Sequence, residues 1–397
     1  MNVLMAVVSD LRTDARVRRE ATALAEAGHR VRVVGFDYTV GRRSVRREAG
    51  VEFVLLPFPA RGVSPARRLV GAAVFFLRAG REILADRPDV VHAHNLHLAV
   101  PCLLAARRHR ARLVYDAHEL VTAMHLGWTG RLARLYERAV WRRADGFVTT
   151  NDSRARYLEE LQGPPRPVVL GNYPVEPPTL EPVDLRARLG IDPSTPLLVY
   201  QGGLYPAARC FDLVAAALAR LPGWHWAIVG FGSEQARAEL EAVLAAAGVA
   251  DRAHLLPPVP VHELLPLTAT ADIGVVPLRR TEMNYLGDTN KLFEYLMVGM
   301  PAVGSDFPEL RRAILDNPVG PVGAVFDPAD PESLLAALRR VADDLPVLKE
   351  RAWTVARDFF SWDREKDKLV ALYRALDVDA DGGHAAAPDR KALLTQP

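Results

Sequence analysis

Along this chain short, continuous apolar runs alternate with stretches of helical periodicity. Residues 3–8 form one unbroken apolar run, the pattern of a strand buried on both faces. Residues 14–27 follow with apolar positions at Val17, Ala21, Leu24 and Ala25, and stop at Gly28. Further strands are predicted at 30–36, 52–56, 89–93, 111–115, 146–149 and 168–170, most of them separated by helical stretches. Residues 172–182 hold Pro174, Pro177, Pro178 and Pro182 without periodicity and read as a linker. A second series then begins, with strands predicted at 197–200, 226–230, 253–256, 273–276, 302–304 and 323–326. Helices fall between them, at 211–221 and 234–247 among others. The last third turns helical over 332–342, 346–359 and 362–376, before a polar tail, 377–397, that reads as disordered.

Strands alternating with helices imply an α/β chain with parallel sheets covered on both faces. The expected architecture is two Rossmann-like doubly wound parallel-sheet domains facing across a cleft. Residues 1–171 make the first and 183–360 the second, joined by the linker 172–182. The helix 361–376 is expected to pack back on the first domain. Ligands of such sheets bind beyond the carboxyl ends of the strands, so the loops that follow strands carry the chemistry.

A length of 397 residues suits two domains, and 49% hydrophobic with 25% charged residues is ordinary for a globular protein. The net charge of +2 hides an asymmetry: residues 1–172 hold 28 Lys and Arg against 17 Asp and Glu, and the remainder is acidic. An anionic acceptor or a lipid surface would suit the basic part, but its arginines are scattered, which is the pattern of a plain arginine-rich surface, and no nucleic-acid partner is expected. Two cysteines, Cys102 and Cys210, give no disulfide framework and fit a reducing cytoplasm. Residues 1–10 lack the basic start of a signal peptide, and the longest apolar run, 69–77, is too short to span a bilayer. The expected setting is cytoplasmic. The helical stretch 65–84, with Arg67, Arg68, Leu69, Val70, Val74, Phe75 and Phe76, has two readings: an ordinary packed helix, or an amphipathic helix through which the basic first domain makes peripheral contact at the inner face of the membrane.

The most informative loops lie after strands. Asn290, Lys291, Leu292 and Glu294 open a short helix stopped by Gly299 and Pro301, and Lys291 is the first lysine of the chain. A helix start attracts phosphate, and Glu294, read on the first turn, suits a ribose diol. The alternative is a core helix with a solvated Lys291–Glu294 pair. Gly202 and Gly203 allow close backbone approach to a ligand, with Arg209 ready to grip phosphate oxygens. The turn at Gly230 shapes a base or ribose pocket, or is a tight turn with Ser233 as helix cap. The polar loop 277–288 offers Glu282, Asn284, Tyr285 and Asp288. In the first half, Asp116, His118 and Glu119 stand at a strand's end as an acid–base candidate. His92, His94 and His97 invite a zinc reading, but no carboxylate or cysteine joins them at recognised spacing, so no metal is expected. His94 and Asn95 are expected as polar contacts lining the cleft.

Together these motifs resemble the retaining glycosyltransferases of the GT-B fold, family four, over essentially residues 1–376. The carriers are Asp14, Ala15, Arg16 and Val17 with Glu20, Gly28 and His29; Asp89 to His94; Asp116 to Glu119; Tyr200 to Gly203; and Asn290 to Pro301 with Ser305 and Asp306. The resemblance implies a nucleotide-diphosphate sugar donor in the second domain and a glycan, glycolipid or small-molecule acceptor in the first. It places Glu294 on the ribose, the basic pair on the diphosphate and His118 near the donor sugar, with no metal or other cofactor. Three departures accompany it. Leu286 stands where a first glutamate is common, Gly203 and Arg209 replace an arginine and a lysine, and residues 9–13 lack a glycine-rich turn. Asp288, Glu282 and main-chain N–H groups are the candidates to cover part of the missing glutamate's role, and Arg12 or Arg16 to stand in for the glycine-rich turn if the acceptor is anionic. A sugar-nucleotide epimerase of the same fold and a non-catalytic binding partner are the alternatives.

Overall fold

The structure, a computed structural model, describes residues 1–59, 63–119, 127–177 and 179–381. Pro178 and residues 382–397, read above as part of the linker and of the tail, lie outside them. The chain divides into two compact units, one of residues 1–172 with the chain from Glu365 onward, the other Tyr173–Arg364.

The first unit runs β1 (Asn2–Asp10), α1 (Ala15–Glu26), β2 (Arg30–Asp37), β3 (Ser44–Glu48), β4 (Val51–Pro57), α2 (Pro65–Ala85), β5 (Val90–His94), α3 (Ala99–His109), β6 (Arg112–Asp116), α4 (Gly127–Trp141), β7 (Gly146–Thr149), α5 (Asp152–Gln162) and β8 (Val168–Val169). Its eight strands lie in the order β3-β4-β2-β1-β5-β6-β7-β8. All neighbours are parallel except β3 and β4. β3 was not legible as a strand because Arg46, Arg47 and Glu48 face solvent at the sheet edge, where charge blocks further pairing. Leftward and rightward right-handed crossovers place α1 on one face and α2, α3 and α4 on the other. Alternation along β2 fits this: the Phe36 ring packs edge-on against Phe75 of α2 at 5.8 Å. Order reverses between β1 and β5, so the loops after these two strands flank the switch point.

The second unit runs α6 (Leu185–Leu189), β9 (Leu197–Gly203), α7 (Phe211–Ala219), β10 (His225–Phe231), α8 (Glu234–Ala246), β11 (Ala253–Leu256), α9 (Val261–Thr268), β12 (Ile273–Val276), α10 (Glu282–Tyr285), α11 (Asn290–Met297), β13 (Ala302–Ser305), α12 (Pro308–Ile314), β14 (Gly323–Phe326), α13 (Pro331–Asp343) and α14 (Leu345–Phe359). Its sheet is parallel throughout, in the order β11-β10-β9-β12-β13-β14. Consecutive residues feed opposite cores: Leu198 packs with Trp226 and Val303, and Val199 with Ala227, Phe293 and Leu296. Order reverses between β9 and β12, and the loops that follow them are tied together, with Cys210 N–H donating to the Pro277 carbonyl at 2.8 Å. The segment 277–288, read as a loop, contains α10, capped by the Thr281 hydroxyl on Asn284 N–H at 3.1 Å.

Tyr173, in the segment read as linker, belongs to the second unit: its ring sits 4.5 Å from Phe293 and 5.2 Å from Phe360. The last helix, α15 (Trp362–Asp381), joins the first unit from Glu365 and continues past residue 377, where disorder was expected. There Tyr373 is fully buried and its hydroxyl lies 2.8 Å from His92 Nδ1.

Candidate active site

In the second unit the residues singled out by sequence gather around the end of β9. Gly202 takes φ +122°, where a side chain is strained, and a Cβ there would meet Lys291 Cε at 3.3 Å. A Cβ at Gly203 would strike the Tyr205 ring at 2.1 Å, so a side chain has no room there in this loop conformation. Gly230 is needed for the same kind of reason, since its Cβ would lie 2.3 Å from the Gly202 carbonyl oxygen. The turn after it ends with Ser233 capping α8, its hydroxyl accepting Ala236 N–H at 3.1 Å.

Lys291 is buried at 7% exposure, and the solvated-pair reading of it falls. Its ammonium donates to the Thr289 hydroxyl at 3.1 Å and stands 5.2 Å from the centre of the Tyr200 ring. Tyr200 also accepts from Arg209 Nε at 3.3 Å and donates to the Gly203 carbonyl at 2.7 Å. The two cations thus share one aromatic residue beside the glycine turn. Burial, and next the Arg209 charge, push Lys291 down to about 7, with Glu294 opposing them. A cation made uncomfortable in this way is matched to an incoming anion.

Glu294 is the fifth residue of α11, on its second turn and not its first. Gln201 Nε2 donates to its carboxylate. Gln201, which sequence reading passed over as part of the glycine motif, is 1% exposed, and its own N–H donates to the Tyr295 hydroxyl at 3.0 Å. Leu292 is fully buried in the core, so its side chain serves packing. Asn290 is exposed at the helix start and Asp288 half-buried just before it. Asn284 is turned to its own loop, donating to the carbonyls of Ala208 and Arg279 at 3.1 and 2.8 Å. Glu282 is exposed.

In the first unit the end of β6 carries a polar cluster. Asp116 is fully buried, within 3.2 Å of both His94 Nδ1 and His118 Nδ1. Arg16 Nε lies 3.1 Å from it and 2.9 Å from Glu20. Arg16 was expected to meet an acceptor. It is instead 5% exposed and spent on this network, with Nη1 also on the Leu170 carbonyl at 2.9 Å. His94 was expected to line a cleft, yet it is fully buried and stacked on His92 with ring centres 4.3 Å apart. Burial pushes Asp116 up, but Arg16, His118 and His94 outweigh it and hold the carboxylate well below its usual range. Burial raises Glu20 well above its usual range and lowers His92 and His94. Sequence spacing offered these histidines no carboxylate. The fold brings Glu20 and Asp116 to them, with ligand atoms within 4.8 Å of one another. The Arg16 guanidinium supplies the positive charge between those carboxylates.

His118 is the member of this cluster that reaches outward, with its side chain 14% exposed. Asn95, in the left-handed region at φ +58°, braces its loop: Oδ1 accepts Glu119 N–H at 2.9 Å and Nδ2 lies 2.9 Å from His118 Nε2. Arg154 adds a bond to the His118 carbonyl at 2.5 Å. Glu119 is exposed. Arg12, the other acceptor candidate, is 38% exposed at the end of β1 and already held by Asp10 at 2.7 Å and Asp37 at 3.0 Å.

Two doubly wound parallel-sheet units, each with polar side chains at the switch-point ends of its strands, define the GT-B class of glycosyltransferases. The chain belongs to this family: residues 13–173 match the glycosyl transferase 4-like domain and residues 195–344 the glycosyl transferases group 1 domain. It is 29% identical over 309 residues to a D-inositol 3-phosphate glycosyltransferase of Geodermatophilus obscurus, covering 72% of this chain and 66% of that protein, just under two thirds of its length. It is also 29% identical over 305 residues to a glycogen synthase of Mycobacterium tuberculosis, covering 73% of this chain and 69% of that one. Among solved structures, a sucrose-phosphate synthase from Thermosynechococcus elongatus superposes with a TM-score of 0.79 at 19% identity, covering 96% of this chain and all of that one. Anabaena HepE in complex with UDP-glucose superposes at 0.70 and 16% identity, covering 94% of this chain and all of that one.

Proposed function

We propose that the protein is a retaining glycosyltransferase that moves a sugar from a nucleotide-diphosphate sugar to a glycan, glycolipid or small-molecule acceptor. One observation carries this reading: Lys291 and Arg209 share Tyr200 beside the Gly202–Gly203 turn, while Glu294 is held by Gln201 on the same helix as Lys291. Two cations beside a side-chain-free turn suit a diphosphate, and a braced carboxylate one turn away suits a ribose diol. Arg209, Lys291 and the start of α11 offset the charge of the leaving diphosphate, which is why we propose transfer without a metal ion. Related folds have been solved with UDP-glucose and with ADP, so UDP and ADP sugars are the first donors to try. His118 is proposed beside the donor sugar, with Asp116 as its positioning residue. We place the reaction in the cytoplasm, in keeping with two buried free thiols.

The test is calorimetric binding of UDP, GDP, ADP and dTDP, each with and without magnesium, followed by turnover of the matching nucleotide sugar. Binding without metal and a product that keeps the anomeric configuration, read by proton NMR, support the proposal. Consumption of the nucleotide sugar with no acceptor present would assign an epimerase instead. Failure of every nucleotide to bind would leave a non-catalytic role.

A further inference from the structure

α2 is 21 residues long but buries only Phe75, Ala79 and Ile83. Its other apolar side chains point outward: Leu69 is 74% exposed, Leu77 67% and Val70 63%. The neighbouring helices of the same layer continue the pattern, with Leu104 exposed on α3 and Leu132 and Leu135 on α4. α3 touches both: His109 Nε2 lies 3.4 Å from the Leu84 carbonyl of α2, and Val100 N–H donates to the Tyr136 hydroxyl of α4 at 2.7 Å. An apolar belt spread over three adjacent helices is more than scattered surface leucines.

The exposed charged side chains of these three helices are all arginines, while Glu82 of α2 is half-buried and paired with Arg32 and Arg43, and Glu137 of α4 is buried. Arg107 and Arg108 are exposed at the end of α3. Arg131, Arg134 and Arg138 line an open groove with Leu135 and Leu161 between α4 and α5. None of these five arginines forms an ion pair among the described residues. Arginines elsewhere in the unit do, as Arg18 with Glu48, Arg47 with Glu52 and Arg112 with Asp145 show.

We propose that the outer face of α2, α3 and α4 docks on an anionic bilayer surface. Leucines entering the headgroup boundary and arginines meeting phosphates is the combination that holds a peripheral protein on such a surface. A second copy of the chain is the poorer occupant, because a two-fold contact would set these arginines against one another. No helix among the described residues is long and apolar enough to cross a membrane, so the contact is peripheral. The proposal stands apart from the donor site in the other unit.

The experiment is co-sedimentation of the full chain with phosphatidylglycerol–phosphatidylcholine vesicles and with phosphatidylcholine alone, at low and high salt. Binding to the anionic vesicles only, weakened by salt, is expected. The double variant Leu69→Glu and Leu77→Glu should abolish it, and Arg131→Glu with Arg134→Glu and Arg138→Glu should reduce it more than about tenfold. These side chains are exposed, and nucleotide affinity of the same preparations reports the fold and the donor site separately. No binding to anionic vesicles, or binding that survives both sets of substitutions, would overturn the proposal. So would a concentration-dependent dimer broken by Leu77→Glu, which would give the face to a second copy.

Discussion

Asn95 sets the tautomer of His118. Its Oδ1 is taken by Glu119 N–H, so the atom 2.9 Å from His118 Nε2 is the amide Nδ2, a donor. Nε2 must accept, and the ring proton sits on Nδ1, directed at Asp116 3.2 Å away. A carboxylate, a histidine and an amide held in this order define which ring nitrogen is free to change partners when substrate arrives.

Replacing Asn95 by leucine removes both bonds and releases the loop. We expect kcat to fall by about tenfold or more, a size typical of a displaced acid–base group, with nucleotide affinity little changed. Asn95→Asp keeps an acceptor for Glu119 N–H but sets a second oxygen against Nε2 in place of the amide donor, so it should lower kcat while the loop stays braced. A kcat equal to wild type in Asn95→Asp would reduce Asn95 to a loop brace.

The Gln201 bond to Glu294 makes a second prediction. Glu294→Ala leaves a ribose diol without its acceptor and should weaken nucleotide binding by about 1–3 kcal/mol. Gln201→Leu frees the carboxylate and should weaken ribonucleotides while leaving the 2′,3′-dideoxy analogue unaffected. Equal losses for both nucleotides in titration calorimetry would mean that Gln201 acts on the strand and not through Glu294.

Lys291 should make nucleotide binding depend on pH around neutrality. With its proton lost near 7 in the empty site, affinity for a diphosphate should weaken as pH rises through that value. The fall is about tenfold per pH unit until the proton affinity of the bound state is reached. Stability runs the other way: the unfolded chain keeps this proton to higher pH, so the ligand-free fold gains stability as pH rises above about 7. Lys291→Arg stays charged throughout and should lose both trends. Affinity that is flat with pH in the wild type would show that Lys291 does not meet the phosphates.

Arg16 should be a stability residue. Arg16→Met leaves the Asp116 carboxylate buried without its strongest partner, which costs about 3–5 kcal/mol at neutral pH. In the wild type Asp116 stays ionised well below the usual range, so its contribution is present above the unfolded value and lost as pH falls. In the variant the carboxyl retains its proton to higher pH. The gap in chemical-denaturation midpoint between the two proteins should therefore narrow toward acid pH, and a constant gap would contradict the assignment.

The unbroken apolar runs at residues 3–8 and 273–276 could be read as parallel strands because a strand buried on both faces tolerates little else. The same logic missed β3, whose polar residues pair only because β4 folds back on it, and α10, too short for periodicity to register. Gly202, Lys291 and Glu294 could be picked out as candidates because glycine freedom, a helix start and the first lysine of the chain are local signals. Their partners were not. Gln201 comes to Glu294 across β9 and α11, Tyr200 comes between Lys291 and Arg209, and Asn95 comes to His118 from the neighbouring strand. Arg16 and His94 looked like ligand contacts, and both were taken inside. Sequence alone therefore determined the repeating α/β pattern and where loops with chemistry would fall, since these follow from hydrophobic period and backbone freedom. Tertiary structure decided which of those side chains face solvent and which hold one another, because burial and hydrogen bonding between residues distant in sequence arise only when the sheets assemble.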